Sequence, residues 1–459
     1  MERRNAWKNY EEEQLTELMQ LGERYKEYIS VCKTERECAA KTIAMVKANG
    51  YQDLKEIIAK KDTVKPGDKI YAQNMGKAVL LLHIGTEPLE NGMNILGAHI
   101  DSPRLDIKPN PLYENTEMAY LDTHYYGGIK KYQWTCRPLA LHGTVVKKDG
   151  TSVTIVIGED ESDPVLGVTE LLVHLSADMM KKQASVVIEG EDLDILVGSR
   201  PVKGEGENLI RQGILDILQE KYGMEEEDFL SAELEMVPAG KARDFGLDRS
   251  MIMGYGQDDR VCAYTSLEAM LQTNSVRRTA ACLLVDKEEI GSVGATGMQS
   301  AFFEDMVAEL LDRMGCYSEL ALRRTLRNSR VFSSDVSAAF DPLYASAMEK
   351  KNSAYFGRGL SFNKYVGSRG KSGSNDANAE YIGAIRKMMD DNNVAYQFSE
   401  IGKVDQGGGG TIAYILAKYG MEVIDCGVPV LNMHAPWEIT NKADIYEAVK
   451  AYKVFLAEG

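Results

Sequence analysis

No apolar run in the chain approaches the ~20 residues that cross a bilayer. The stretch KAVLLLHIG, Lys77–Gly85, is far too short, and no amphipathic basic helix suggests attachment to a membrane surface. The N-terminal sequence MERRNAWKNYEEE lacks the apolar centre of a secretory signal, so the expected location is cytoplasmic. Cysteine is sparse and scattered: seven residues, an odd number, with no C-x-x-C pair. That argues against a disulfide framework and for reduced thiols. Basic residues are outnumbered, 53 against 69 acidic, and the net charge of −16 speaks against a nucleic-acid partner, which needs a basic face. There is no internal repeat and no low-complexity tract. The run Gly407–Gly410 lacks the lysine and the spacing of a phosphate loop.

What is present is an ordinary globular composition, 44% apolar and 27% charged, in 459 residues, a length that predicts two domains. Residues 7–49 carry helical periodicity, and TERE at Thr34–Glu37 has the spacing of a capping box. KAVLLLHI and NILGAHI then read as strands. From about residue 107 the texture changes to alternating segments such as SVTIVIG with KKDGT as a turn, which predict hairpins, and to one helix, NLIRQGILDILQEKYG. After about residue 245 strands and helices alternate again. The expected fold class is α/β, a mostly parallel sheet sandwiched by helices. Residues 1–106 and 246–459 would form it, with a β-rich domain, 107–245, inserted.

Chemistry in open α/β sheets gathers beyond the carboxyl ends of strands. NILGAHID delivers His99 and Asp101 there, MIMGYGQDD delivers Asp258 and Asp259, and ACLLVDKEE delivers Glu288 and Glu289. SRVFSSD adds Asp335, and GVPVLNMH adds His434. Singly, each has a plainer reading: a hydrogen-bonded histidine, an N-cap, a solvated helix start. Five such endings expected at one edge of one sheet fit a divalent-cation site of imidazoles and carboxylates, suited to zinc, manganese or cobalt. Residues i and i+2 of an extended segment face the same side, so Asp101 could orient the His99 ring. Of the adjacent glutamates, one would bind metal and the other take a proton from water.

The segments GAHIDSPRLDIKP, YGQDDR, VDKEEIGSVGATG, SSDVSAAFDP, GKSGSNDANAEY and PVLNMHAPWEI together resemble the aspartyl-aminopeptidase family of dinuclear zinc metallopeptidases, in its bacterial branch. The resemblance implies that His99, Asp258, Glu289, Asp335 and His434 bind two divalent ions, zinc first, with cobalt or manganese as alternatives. Asp258 would bridge the ions, with a cis peptide to Asp259. Asp101 would support His99, Glu288 would be the general base, and a water held between the ions would be the nucleophile. It further implies that the inserted domain is for dimerisation, that dimers build a dodecamer, and that His174 reaches a neighbouring subunit's site. Lys371, in SRGKSGSND, is the candidate cation for an acidic first residue, although acidic and neutral preferences both occur in the family. The expected substrates are peptides with a free N-terminus. The chain departs from many relatives in Asp258–Asp259 where they have Asp-Asn, and in Met433-His434-Ala435 where they have Met-His-Ser. Two other readings stay open: a different amide or peptide metallohydrolase on the same scaffold, and a metal-stabilised assembly or cargo scaffold without turnover.

Overall fold

The computed structural model describes residues 4–459. They form two compact units. One takes the chain through Asp101, Ala242–Met433 and Glu438–Gly459; the other is Ser102–Lys241 with His434–Trp437. The chain leaves the first unit at Asp101, before the change of texture near 107, because strand Arg104–Asn115 already belongs to the second unit's sheet.

The first unit is built on a nine-stranded sheet. Its centre is four parallel strands, in the order Thr279–Val285, Met93–His99, Arg330–Ser334 and Glu422–Gly427. Antiparallel pairings appear toward both margins, where Ala78–His83 joins Thr279–Val285 and Leu360–Asn363 joins Glu422–Gly427. Every residue of Thr279–Val285 and of Met93–His99 is buried, as expected of a sheet covered on both faces. Strand alternation then divides the apolar side chains between two cores. Leu96 and Ala98 face helices Glu12–Val31, Gln257–Gln272 and Lys442–Glu458; Met93 and Ile95 pack with Phe303, Val307 and Leu310 of helix Phe302–Arg313. Each such leucine or isoleucine, fully removed from water, contributes about 1.5–3 kcal/mol. Helix Glu35–Ala48 starts at the capping box: Thr34 Oγ1 accepts from Glu37 N at 3.2 Å, and Thr34 N donates back to Glu37 Oε2 at 3.0 Å.

A smaller five-stranded sheet in the same unit contains Met251–Gly254, Glu438–Asn441, Pro429–Leu431 and Ser337–Ala338. Its existence corrects one expectation. The runs ahead of Asp258 and His434 are not strands of the large sheet, so the polar endings do not all share one edge. Both runs are only three or four residues long, and so short an apolar stretch carries no mark of which sheet it joins.

The second unit holds a six-stranded antiparallel sheet and helix Leu209–Tyr222. Leu139–Val146 and Ser152–Ile157 form the hairpin read from SVTIVIG; Lys147 N donates to Thr151 O at 2.8 Å, and Gly150 turns the corner at φ 83°. Among the described residues no helix is long and apolar enough to cross a membrane.

Candidate metal centre

Four side chains arrive from the ends of three central parallel strands. His99 is the last residue of Met93–His99 and Asp335 follows Arg330–Ser334 directly. The glutamate pair sits in a single turn, Glu288–Ile290, just past Thr279–Val285. That turn opens at Lys287, whose φ of 67° reverses the chain as it leaves the sheet. Asp258 and Asp259 come instead from the start of helix Gln257–Gln272, and the peptide between them is cis.

These groups converge. His99 Nε2 is 3.3 Å from Asp258 Oδ1 and 3.9 Å from both Glu288 Oε2 and Asp335 Oδ1. Three overlapping triplets each offer ligand atoms within 4.8 Å of one another: His99–Asp258–Glu289, His99–Glu288–Asp335 and Asp258–Asp259–Asp335. The other ring nitrogen, His99 Nδ1, lies 3.0 Å from the Asp101 carbonyl and 3.3 Å from its carboxylate. A proton on Nδ1 leaves the Nε2 lone pair toward the cluster. Asp101 does more than steady the imidazole, because its two oxygens also accept Glu288 N and Glu289 N, each at 3.2 Å. Asp258 N is held in turn by Glu438 Oε2 at 3.1 Å.

The electrostatics are those of a cluster short of positive charge. Burial, then the Asp258 and Glu288 charges, push the Asp335 carboxyl well above the usual range. Burial, then Asp335, do the same to Asp259. For His99 burial alone would lower the pKa, but hydrogen bonds to Asp101 and Asp258 raise it well above its ordinary value. Asp259 Oδ1 is buried with no hydrogen-bond partner among the described residues. Imidazole and carboxylate oxygens in excess, with one orphaned oxygen, fit a divalent cation of the zinc type.

Two acids, one of the centre and one whose charge acts on it, were not singled out as ligands in the sequence. Asp259 stands with Asp258 and Asp335 although its position suggested a cap. Asp425, near the end of Glu422–Gly427, is buried, accepts Thr411 Oγ1 at 2.6 Å, and has its pKa pushed up to about 7 by burial. The strand-end rule applied to EVIDCG would have found it.

Besides Asp101, three expected site residues are not among these triplets. His434 falls in the second unit, half-buried, with Nδ1 2.9 Å from Gly128 O. Lys371 is exposed and turned onto its own loop, 3.0 Å from Asp376 Oδ2 and 3.8 Å above the Tyr365 ring. His174 is exposed in a turn of the second unit.

Residues 28–456 match the family described as Aminopeptidase I zinc metalloprotease (M18). The chain is 61% identical over 456 residues to a probable M18 family aminopeptidase 1 of Clostridium acetobutylicum, covering 99% of this chain and 98% of the relative. The crystal structure of aminopeptidase I from the same bacterium superposes with a TM-score of 0.94 at 59% identity, covering all of both chains. An M18 aminopeptidase structure from Thermotoga maritima gives a TM-score of 0.95 at 41% identity, again over the full length of both.

Proposed function

The chain belongs to the M18 family of zinc aminopeptidases and is a metal-dependent aminopeptidase; from that premise we propose that its acid cluster holds two divalent cations and that Glu288 moves the proton. The observation that carries the reading is the pair of glutamates on one turn, each in a triplet with His99 but with different carboxylate partners. Side-by-side carboxylates repel, and that arrangement is tolerable where cations offset it. His99, Asp258, Glu289 and Asp335 would hold the ions, with His434 as the further ligand by residue type and resemblance. Divalent cations would supply Lewis acidity, polarising a scissile carbonyl and making water acidic enough to lose a proton near neutral pH.

Glu288 would accept that proton on its carboxylate and return it to the departing amine. Asp101 keeps the turn in place through two backbone N–H groups, so the carboxylate does not have to be found anew in each cycle. Carboxylates of the cluster would receive the substrate's free ammonium, which selects N-termini. Lys371 would meet an acidic first residue, a neutral one being the alternative preference. Homo-oligomerisation belongs to the same proposal, with His174 on an exposed turn available to a neighbouring copy; light scattering of the metal-loaded protein reads it. The seven unpaired thiols agree with a reducing, cytoplasmic setting.

The test is Glu288→Gln. Bound metal, read by elemental analysis, should match the parent, while kcat on aminoacyl chromogenic substrates falls by about 10²–10⁴ or more. Near-parental turnover would remove Glu288 from proton transfer. Loss of metal together with activity would make it a ligand instead.

A further inference from the structure

In the first unit, residues between 350 and 398 line a cavity of about 1100 Å³. Five of its thirteen lining residues are cationic, Lys350, Lys351, Arg358, Lys364 and Arg386, and none is a carboxylate. On a chain with a net charge of −16 such a concentration of the opposite sign makes the cavity lining positive. None of these residues belongs to the metal centre, whose charge balance needs none of them.

Aromatic faces flank the cations. Arg358 lies 4.4 Å over the Tyr355 ring, and Lys350 lies 5.8 Å over Phe340. Glu349, next to Lys350 in sequence, is occupied with Lys351 N and the Asn352 amide. The wall is fixed in advance. Gln397, buried, accepts Tyr355 N at 2.9 Å and donates to Tyr355 O at 2.9 Å and Gly359 O at 3.1 Å. Ile382 and Phe398 add apolar surface between the charges. Phe398 ends the outermost strand of the nine-stranded sheet, Tyr396–Phe398, which has a strand neighbour on one side only.

We propose that this cavity is a docking site for an acidic peptide segment, built from none of the residues of the metal centre. Carboxylates on short aliphatic stems match cations alternating with apolar wall, and the volume exceeds what a single small anion fills. Phosphate cradles gather backbone N–H groups at tight turns, whereas here the cations are side chains on long stems. The choice of a peptide rests on the aminopeptidase reading. The cavity and its charge do not.

The test uses the metal-loaded enzyme and N-acetyl hexaglutamate carrying a C-terminal dye, its blocked amine keeping it from being consumed. Fluorescence anisotropy should show saturable binding that weakens as salt is raised from about 50 to about 300 mM. N-acetyl hexaglutamine should not bind. The double charge reversal Lys351→Glu, Arg386→Glu replaces two exposed side chains and should weaken binding on the order of tenfold or more. It should leave turnover of a neutral aminoacyl chromogenic substrate unchanged. No binding by the parent, or equal binding by the variant, overturns the proposal. So does displacement by tripolyphosphate at concentrations far below those of unlabelled peptide, which would make the cavity a phosphate site. Binding is read without hydrolysis, so failure of the aminopeptidase reading would show separately, as absence of chelator-sensitive turnover.

Discussion

Asp101 illustrates how much one buried carboxylate can organise. Its oxygens serve two backbone N–H groups of the glutamate turn, and the same side chain borders His99 Nδ1. Asp101→Asn keeps the shape but sets an NH₂ against an N–H donor. The Asp101 carbonyl still faces the imidazole at 3.0 Å, so the histidine tautomer should survive better than the turn. We expect metal affinity and kcat each to fall by about 10–100-fold, measured by metal titration and steady-state kinetics. At Lys371 the ion pair with Asp376 already engages the charge. Lys371→Ala should therefore cut kcat/KM for Asp- and Glu-starting substrates more than for Leu-starting ones only if the side chain leaves Asp376 to meet them. Equal losses would exclude it from the specificity pocket. His99 and the glutamates could be read in the sequence because they follow long apolar runs, and Asp335 because it closes the shorter strand RVFSS. Asp259 could not: a carboxylate at a helix start already has a sufficient explanation as a cap, and only the three-dimensional approach to Asp335 gives it another.

Among the elements, Glu422–Gly427 sets the position of Asp335 more tightly than its length suggests. Asp335 N donates to Cys426 O at 2.8 Å, and a Cβ built on Gly427 would lie 1.8 Å from the Asp335 carbonyl oxygen. Backbone cannot be displaced as a side-chain tip can. Gly427→Ala should destabilise by about 1–3 kcal/mol or more, seen as a lower denaturation midpoint, and should weaken metal binding because the Asp335 carboxylate moves with its carbonyl. The parent's midpoint with impaired metal binding would be just as informative, since it would place the whole cost at the centre. The strands themselves were legible as uninterrupted apolar runs, which is what burial on both faces demands. Their directions were not. KAVLLLHI would satisfy a parallel or an antiparallel neighbour equally, and only the chain's path decides that Ala78–His83 runs against Thr279–Val285. The smaller sheet escaped notice because its strands are too short to display a period.

For the whole molecule, cation removal couples the centre to global stability. In the metal-free protein burial, and then mutual repulsion, hold the Asp335 and Asp259 carboxyls above the usual range, so the folded state keeps protons that the unfolded chain sheds above about pH 4. The raised His99 pKa acts in the same direction at higher pH: its contribution is present below about 6.5 and disappears as pH rises through the folded-state value. Stability of the chelated protein should therefore decline steadily from about pH 5 to about pH 8, while the metal-loaded protein stays flatter. Thermal midpoints across that range, with and without chelator, check it; parallel curves would mean that cations do not neutralise this cluster. The net negative charge was visible in composition alone. The positive cavity lining was not, because its five cations are spread over residues 350–386 and become neighbours only when helix Ala379–Asp391 packs beside the outer strands.

The order of strands across the large sheet also has a consequence for synthesis. Met93–His99 emerges early from the ribosome, but the strands that flank it, Thr279–Val285 and Arg330–Ser334, follow only after the whole of Ser102–Lys241 has been made. Until then His99 ends a segment with two unsatisfied edges and, of its acid partners, only Asp101. A nascent chain halted before Asp335 should capture no zinc, and the early segment has to be kept from pairing with other unfinished copies while it waits.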